Sequence, residues 1–188
     1  KTGRQLTPEM VRTIGVEADR LGLARFVITG GEPLVFPDLY DVIHAIDPER
    51  HYINVDTNGW FLDLSVAMKL KKEGVDRIQL SIDSMSAKEH DAFRCKVGSH
   101  AKAMRAVDCS LSAGLDLFIQ TVVGKSRLYG YEFIKFLEYW NGLGIGVFVT
   151  FLKAVGAAEG MREEMCGAED FEYFRKLEKK YNVFWHLT

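Results

Sequence analysis

The chain has 188 residues, 47% of them hydrophobic, enough apolar mass for one globular domain with a sizeable core. A net charge of −2 gives no electrostatic ground for nucleic acid or an anionic membrane as partner. No apolar run approaches the ~18 residues of a membrane span and no signal peptide opens the sequence. The three cysteines, Cys95, Cys109 and Cys166, lie too far apart and too irregularly for a disulfide framework, which fits a reducing cytoplasm. Because the first residue is Lys1, the sequence is read as a piece of something longer.

Strand and helix signals alternate. Arg4 to Leu21 predicts a helix, with Thr7 as N-cap, Pro8 at the first helical position, Glu9 in the first turn and Gly22 as stop. Val11, Ile14, Ala18 and Leu21 are its expected inner face. Strand Phe26–Thr29 follows, then a helix from about Asp38 with Leu39, Val42, Ile43 and Ile46 inward. Strand Tyr52–Asp56 precedes a helix from Asp63 to Glu73, stopped by Gly74. Strand Arg77–Ile82 runs into Ser86-Ala87-Lys88-Glu89, a capping box opening a short helix. A longer helix covers Ser99 to Ser112.

In the second half, strand Leu117–Val123 precedes a helix whose inner face is Phe133, Phe136, Leu137 and Trp140. Strand Val147–Leu152, a Gly/Ala/Glu/Met-rich loop, a helix from Glu169 to Tyr181 and a strand Val183–His186 complete the chain. The basic run Arg175 to Lys180 reads as a solvated helix face. Strands apolar on both faces that alternate with helices predict an α/β fold with a mainly parallel sheet, a (β/α) barrel or part of one. No linker divides the chain, yet it begins with a helix where such a barrel would have a strand.

In α/β folds chemistry collects at the C-terminal ends of the strands. Those ends read Thr29-Gly30-Gly31-Glu32-Pro33, then Asp56-Thr57-Asn58-Gly59, Ser81-Ile82-Asp83, Gln120-Thr121 and Lys153-Ala154-Val155-Gly156. Adjacent glycines allow a sharp turn and close approach to bare peptide groups, and Pro33 fixes the direction that follows. Glu32 offers a carboxylate or a backbone carbonyl to an ammonium group, and Ser81 and Thr121 can donate and accept from fixed strand positions. Arg94 can fold back as a bidentate partner for a carboxylate, or stand as a surface arginine. Together these groups suit an amino acid head group in a small polar pocket. A second reading of the same ends is an ordinary α/β-barrel lyase or aldolase using Glu32, Asp56 or Asp83 as acid–base groups. Against it, no lysine sits mid-strand as a Schiff-base candidate.

The motifs resemble the radical S-adenosylmethionine (SAM) superfamily over nearly the whole chain. VITGGEPLVFPDL (Val27 to Leu39) is similar to its GGEP motif, which binds the SAM amino group. VDTNG (Val55 to Gly59) and VDRIQLSIDS (Val75 to Ser84) resemble its next strands, Ser81 matching a SAM contact. HDAFR (His90 to Arg94), with Gly98-Ser99-His100 after it, resembles the segment whose arginine holds the SAM carboxylate in the peptide-modifying branch with SPASM-type domains. FLKAVGAAEG (Phe151 to Gly160) resembles the loop that packs on adenine.

This resemblance implies a partial (β/α)₆ barrel binding SAM through Thr29, Gly30, Gly31, Glu32, Pro33, Thr57, Asn58, Ser81, Asp83, Arg94, Gln120, Thr121, Val155 and Gly156. It also implies a [4Fe–4S] cluster, reductive cleavage of SAM to methionine and a 5′-deoxyadenosyl radical, an electron donor such as flavodoxin or ferredoxin, and a substrate such as a peptide or protein. The family's C-x3-C-x2-C loop and the strand before it are absent from the sequence. The expectation is therefore a core domain spanning 1–188 that begins just after the cluster loop. A cluster-less relative that binds SAM or a partner is the rival.

Cys109 is expected as a buried helix residue, Cys95 stands where the branch often has glycine, and Ser84 replaces the glycine after S-x-D. Cys166 reads as an inert loop cysteine or as one facing substrate, and His186 either lines the substrate side of the barrel or simply ends the last strand. Ala157 to Gly167 reads either as a flap or as a surface connection. The five histidines show no pair at metal-ligand spacing.

Overall fold

A computed structural model of the chain describes residues 6–153 and 159–185. These fall into two compact units, one built on residues 6–80 and Ala101–Leu117, the other on Ser81–His100, 118–153 and 159–185.

The first unit holds strands β1 (Arg25–Ile28) and β2 (Tyr52–Thr57) and nearly all of β3 (Arg77–Ser81). β1 pairs with β2 and β2 with β3, both in parallel. Its helices are α1 (Pro8–Arg20), α2 (Leu39–Ile46), α3 (Leu64–Lys72) and most of α5 (Ser99–Ser112). Thr7 caps α1 as predicted, its hydroxyl accepting from the Met10 N–H. The inner face of α1 differs from the prediction. Val11, Gly15 and Ala18 are buried, whereas Ile14 and Leu21 are 44% and 76% exposed. The reason is Gly15: a Cβ there would come within 3.4 Å of the Ala45 and Ile46 carbonyl oxygens, so the seam with α2 is built on small residues.

β1 is also more open than a strand buried on both faces. Arg25 and Val27 are exposed, because β1 stands at the end of the strand order. The fully buried apolar residues Ile53, Val55, Ile78 and Leu80 come from β2 and β3.

The second unit holds β5 (Gly146–Phe151), β6 (Val183–Trp185) and most of β4 (Asp116–Val123). β5 pairs in parallel with β4 and with β6. The helices are α4 (Ala87–Phe93), the short α6 (Lys125–Leu128), α7 (Tyr131–Gly142) and α8 (Ala168–Glu178). The predicted face of α7 is borne out, with Phe133, Phe136, Leu137 and Trp140 all buried. Phe151, Phe171, Phe174 and Trp185 close the other end of this core with edge and stacked ring contacts. Arg175, Lys176, Lys179 and Lys180 are exposed, as a solvated face requires.

Strand order follows chain order, the pairs above are parallel, and helix follows each strand from β1 to β5. This is the α/β topology of a partial (β/α)₆ barrel, as the sequence predicts. Three one-turn elements were not foreseen: α6 and the 3₁₀ turns Pro33–Val35 and Arg162–Glu164.

Candidate functional site

In the first unit the turn after β1 is held by its own glutamate. Gly30 has φ of +141°, a backbone conformation that L side chains rarely adopt, and a Cβ on Gly30 or Gly31 would meet nothing within 4 Å. Glu32 caps the 3₁₀ turn: its Oε1 accepts from the Leu34 N–H at 3.2 Å and from the Thr57 hydroxyl at 2.6 Å. Its Oε2 accepts from the Asn58 N–H at 2.9 Å. Thr57, buried at the end of β2, in turn accepts from the Gly59 N–H at 3.1 Å, and the Asn58 side chain accepts from Trp60 N–H at 2.8 Å. Both acceptors that the sequence offered at Glu32 are thus engaged, the carboxylate by these donors and the backbone carbonyl by the Val35 N–H at 3.2 Å, with a second lone pair left on the carbonyl. Pro33 is buried behind the turn, while Thr29, Gly30 and Gly31 are exposed.

Asp56, next to Thr57, accepts from the Asn54 side-chain amide. Burial raises its pKa above the ordinary carboxylate value, against the opposing effects of Asn54 and Arg25.

In the second unit the centre is Asp83, buried just beyond the end of β3. Its Oδ2 accepts from Arg94 Nε at 2.6 Å, and its Oδ1 accepts from the Val122 N–H at 3.1 Å and the Thr121 hydroxyl at 3.5 Å. Its own N–H donates to Nδ1 of His90 at 3.1 Å. His90 is 1% exposed, and burial foremost lowers its pKa, with Arg94 and His100 adding to the fall and Asp83 and Asp91 opposing it. It is neutral near pH 7, and accepting at Nδ1 puts its proton on Nε2. Arg94 caps α4, half-buried, with Nε taken by Asp83 and its terminal nitrogens without a hydrogen-bond partner among the described residues.

Thr121, fully buried, also accepts from Arg127 at 2.8 Å, and Arg127 donates to the Val122 carbonyl as well. Burial lowers the Arg127 pKa to about 10, while the more distant Asp83 and Glu89 work the other way. Gln120 donates its side-chain amide to Thr150 Oγ1 at 3.3 Å, and its backbone carbonyl accepts from the Ile82 N–H. Ser81 is half-buried at the end of β3.

The predicted capping box forms only halfway. Ser86 caps α4, accepting from the Glu89 N–H, but the Glu89 carboxylate accepts from the Ser84 hydroxyl at 2.6 Å instead of from the Ser86 N–H. Ser84, in place of the family's glycine, supplies that hydroxyl and also accepts from the Ser86 N–H at 3.0 Å.

Cys109 is half-buried rather than a core residue. Cys95 is exposed with φ of +51°, the left-handed backbone that favours glycine. Cys166 is half-buried beside a cavity of about 350 Å³ walled by Phe148, Phe171 and Trp185, where burial and Asp170 push its thiol up to about 11. Of the candidate flap, residues 159–167 are described. They are anchored there: Glu164 accepts from both the backbone N–H and the hydroxyl of Ser126. Val155, Gly156 and His186 lie outside the described residues.

No group of His, Cys, Asp or Glu among the described residues is arranged to hold a metal ion, so the chain's cysteines do not fit an iron–sulfur cluster. Sequence reasoning missed Arg127 and the role of His90. Arg127 carried no motif, and its sole sequence signal was a cation directly after the polar end of a strand.

The Radical SAM superfamily matches residues 1–146, and the chain belongs to that family, whose members bind SAM and a [4Fe–4S] cluster. The chain is 30% identical over 148 residues to the AdoMet-dependent heme synthase of Nitratidesulfovibrio vulgaris, covering 78% of this chain and 40% of that protein. It is 36% identical over 145 residues to the probable GTP 3′,8-cyclase of Methanocella arvoryzae, covering 75% of this chain and 45% of that protein. It thus spans less than half the length of these two relatives. Streptococcus suis SuiB, solved bound to its precursor peptide SuiA, has a TM-score of 0.72 at 15% identity, over 100% of this chain and 44% of SuiB, which is a likeness of fold.

Proposed function

We propose that the chain is the SAM-binding core of a radical SAM enzyme acting on a peptide or protein. Family membership supports the cofactor, and the HDAFR segment, similar to the peptide-modifying branch, supports the substrate class. The observation that carries the reading is the Asp83–Arg94 pair. A buried carboxylate takes Nε and leaves the terminal nitrogens of a half-buried guanidinium for a second, external carboxylate.

In this reading Arg94 receives the SAM carboxylate. The peptide carbonyls of the turn Thr29-Gly30-Gly31-Glu32-Pro33 receive the amino group. Ser81, Thr57, Asn58, Asp83, Gln120 and Thr121 line or brace the site, and Val155 and Gly156 pack on adenine. The chain's part is to bind and orient SAM and to keep water from it. A [4Fe–4S] cluster, held by residues other than those of this chain, would supply the electron for cleaving SAM. That electron would come from a cytoplasmic flavodoxin or ferredoxin. The domain assignment that goes with this is an incomplete radical SAM core over 1–188.

Reading Glu32 and Asp83 as lyase acid–base groups has less support, since both carboxylates are taken up by protein donors. A cluster-less SAM-binding module is the alternative reading.

The full-length gene product, reconstituted anaerobically with iron and sulfide, tests the proposal. SAM and dithionite should give 5′-deoxyadenosine, and Arg94→Ala should weaken SAM binding with the cluster spectrum unchanged. SAM binding without any cluster would select the module. SAM affinity unchanged in both Arg94→Ala and Ser81→Ala would remove those two assignments.

A further inference from the structure

The second unit contains a cavity of about 770 Å³ that touches the SAM reading at Asp83 and is otherwise unassigned by it. Its wall combines the aromatic rings of Phe93, Tyr131, Phe133, Phe136 and Tyr139 with the guanidinium of Arg127. Arg127 lies over Phe133 and Phe136, 5.6 and 5.3 Å from the ring centroids, which holds its plane against the wall.

Two charged pairs close on this cavity, and Arg127, Glu89 and Glu164 have only neutral hydrogen-bond partners. Asp83 pairs with Arg94, and Lys135 with Glu132. Glu89 accepts from the Ser84 hydroxyl, and Glu164 from the Ser126 N–H and hydroxyl. Arg127 has two neutral acceptors, the Thr121 hydroxyl and the Val122 carbonyl, both on one terminal nitrogen. No carboxylate of the described residues pairs with it, and its Nε and other terminal nitrogen have no acceptor among them. Arg127 is half-buried, and Asp83 and Glu89 act on it only as unbonded charges. The first turn of α7, at Gly130 to Glu132, lines the same cavity and has no side-chain cap, which adds partial positive charge beside the guanidinium.

We infer that this cavity binds a carboxylate-bearing ligand with an aromatic or apolar body, the carboxylate seated on Arg127 and the body against the rings of α7 and Phe93. A planar guanidinium with its outer edge open matches a carboxylate in the bidentate manner, and stacked rings accept a flat apolar group at little conformational cost. The assignment does not depend on the cofactor reading, and its test contains no SAM in the primary titration.

The chain is titrated calorimetrically with N-acetyl-phenylalanine and, separately, with its uncharged carboxamide. The carboxylate should bind at least about tenfold more tightly than the amide. Arg127→Gln should erase that preference, Arg127→Lys should retain part of it, and Phe93→Ala should weaken both probes alike. Because Arg127 also braces β4, Arg127→Gln is read only if its thermal unfolding stays cooperative. If it does not, the preference of the unmodified chain and the loss in Phe93→Ala decide. Equal binding of acid and amide would overturn the inference, as would a carboxylate affinity indifferent to Arg127→Gln. Inorganic phosphate displacing the probe at equal concentration would reduce the site to a general anion hole and overturn the aromatic part. Displacement by SAM at its own dissociation constant would reassign the cavity to the cofactor and overturn the inference while leaving the proposed function standing.

Discussion

Asp83 and Arg94 lie eleven positions apart, and one short charged hydrogen bond, Oδ2 to Nε at 2.6 Å, joins the end of β3 to the end of α4. Asp83 is 4% exposed and Arg94 29% exposed, so the pair has a dry side and a wet side. The dry partner fixes the direction of the guanidinium, and the wet partner carries the donors that remain.

Asp83→Asn should therefore damage ligand binding through Arg94 and stability through β4. The amide has one acceptor oxygen where the carboxylate served Arg94, Val122 and Thr121 together. Hydrogen bonds to a charged group contribute about 1.5–3 kcal/mol each, and partial exposure of Arg94 lowers its share. A loss of about 2 kcal/mol in urea unfolding is expected, with SAM affinity falling as far as in Arg94→Ala. A double-mutant cycle should show strong coupling, and additive effects would dissociate the two residues.

His90 makes stability depend on pH. Its pKa in the folded protein is lower than the ordinary 6.5, so the unfolded chain binds its proton first. The contribution is therefore complete above about pH 6.5 and is lost as pH falls toward the depressed folded value. Asp83, Arg94, His100 and Asp91 are the charged or titratable groups acting on the ring. The measurement is the free energy of unfolding between about pH 7 and pH 5. Wild type should lose stability over this range more steeply than His90→Asn, whose side-chain oxygen can still accept from the Asp83 N–H. Parallel curves would clear His90 of the role.

Glu32→Ala should cost about 2 kcal/mol, because Thr57 and the Leu34 and Asn58 N–H groups lose a common charged acceptor. Glu32→Gln keeps one acceptor oxygen and should cost about half as much. Denaturant midpoints at constant m-value check this, and equal losses would mean that the charge plays no part.

Cys95→Gly should stabilise the chain by about 1 kcal/mol. The cysteine has φ of +51° and is exposed, so glycine relieves backbone strain at the loss of little packing. An unchanged or lowered midpoint would place the strain elsewhere.

The architecture was legible because α7 and the inner strands obey simple periods. Phe133, Phe136, Leu137 and Trp140 occupy one helical face in sequence and in space. The α1 face was misread because a periodicity argument counts large apolar residues, and here Gly15 makes the closest approach. At the site, motif resemblance singled out Glu32, Asp83 and Arg94. It did not reveal that both carboxylates are spent on protein donors, since pairing partners such as Asn58 or Val122 use backbone groups that carry no sequence signal. His90 was visible as a letter in HDAFR, but its work, accepting an N–H from seven positions back, is a matter of tautomer and burial.

The glutamate bracket has a thermodynamic consequence. Leu34, Thr57 and Asn58 already converge on Glu32, so the glutamate that follows the two glycines is held in place without a ligand. A ligand meeting this turn does not have to organise it, so little of its binding free energy is diverted to ordering a loop. Exchange of the amide protons of Leu34 and Asn58 should accordingly be slow in the cofactor-free chain and change little on saturation.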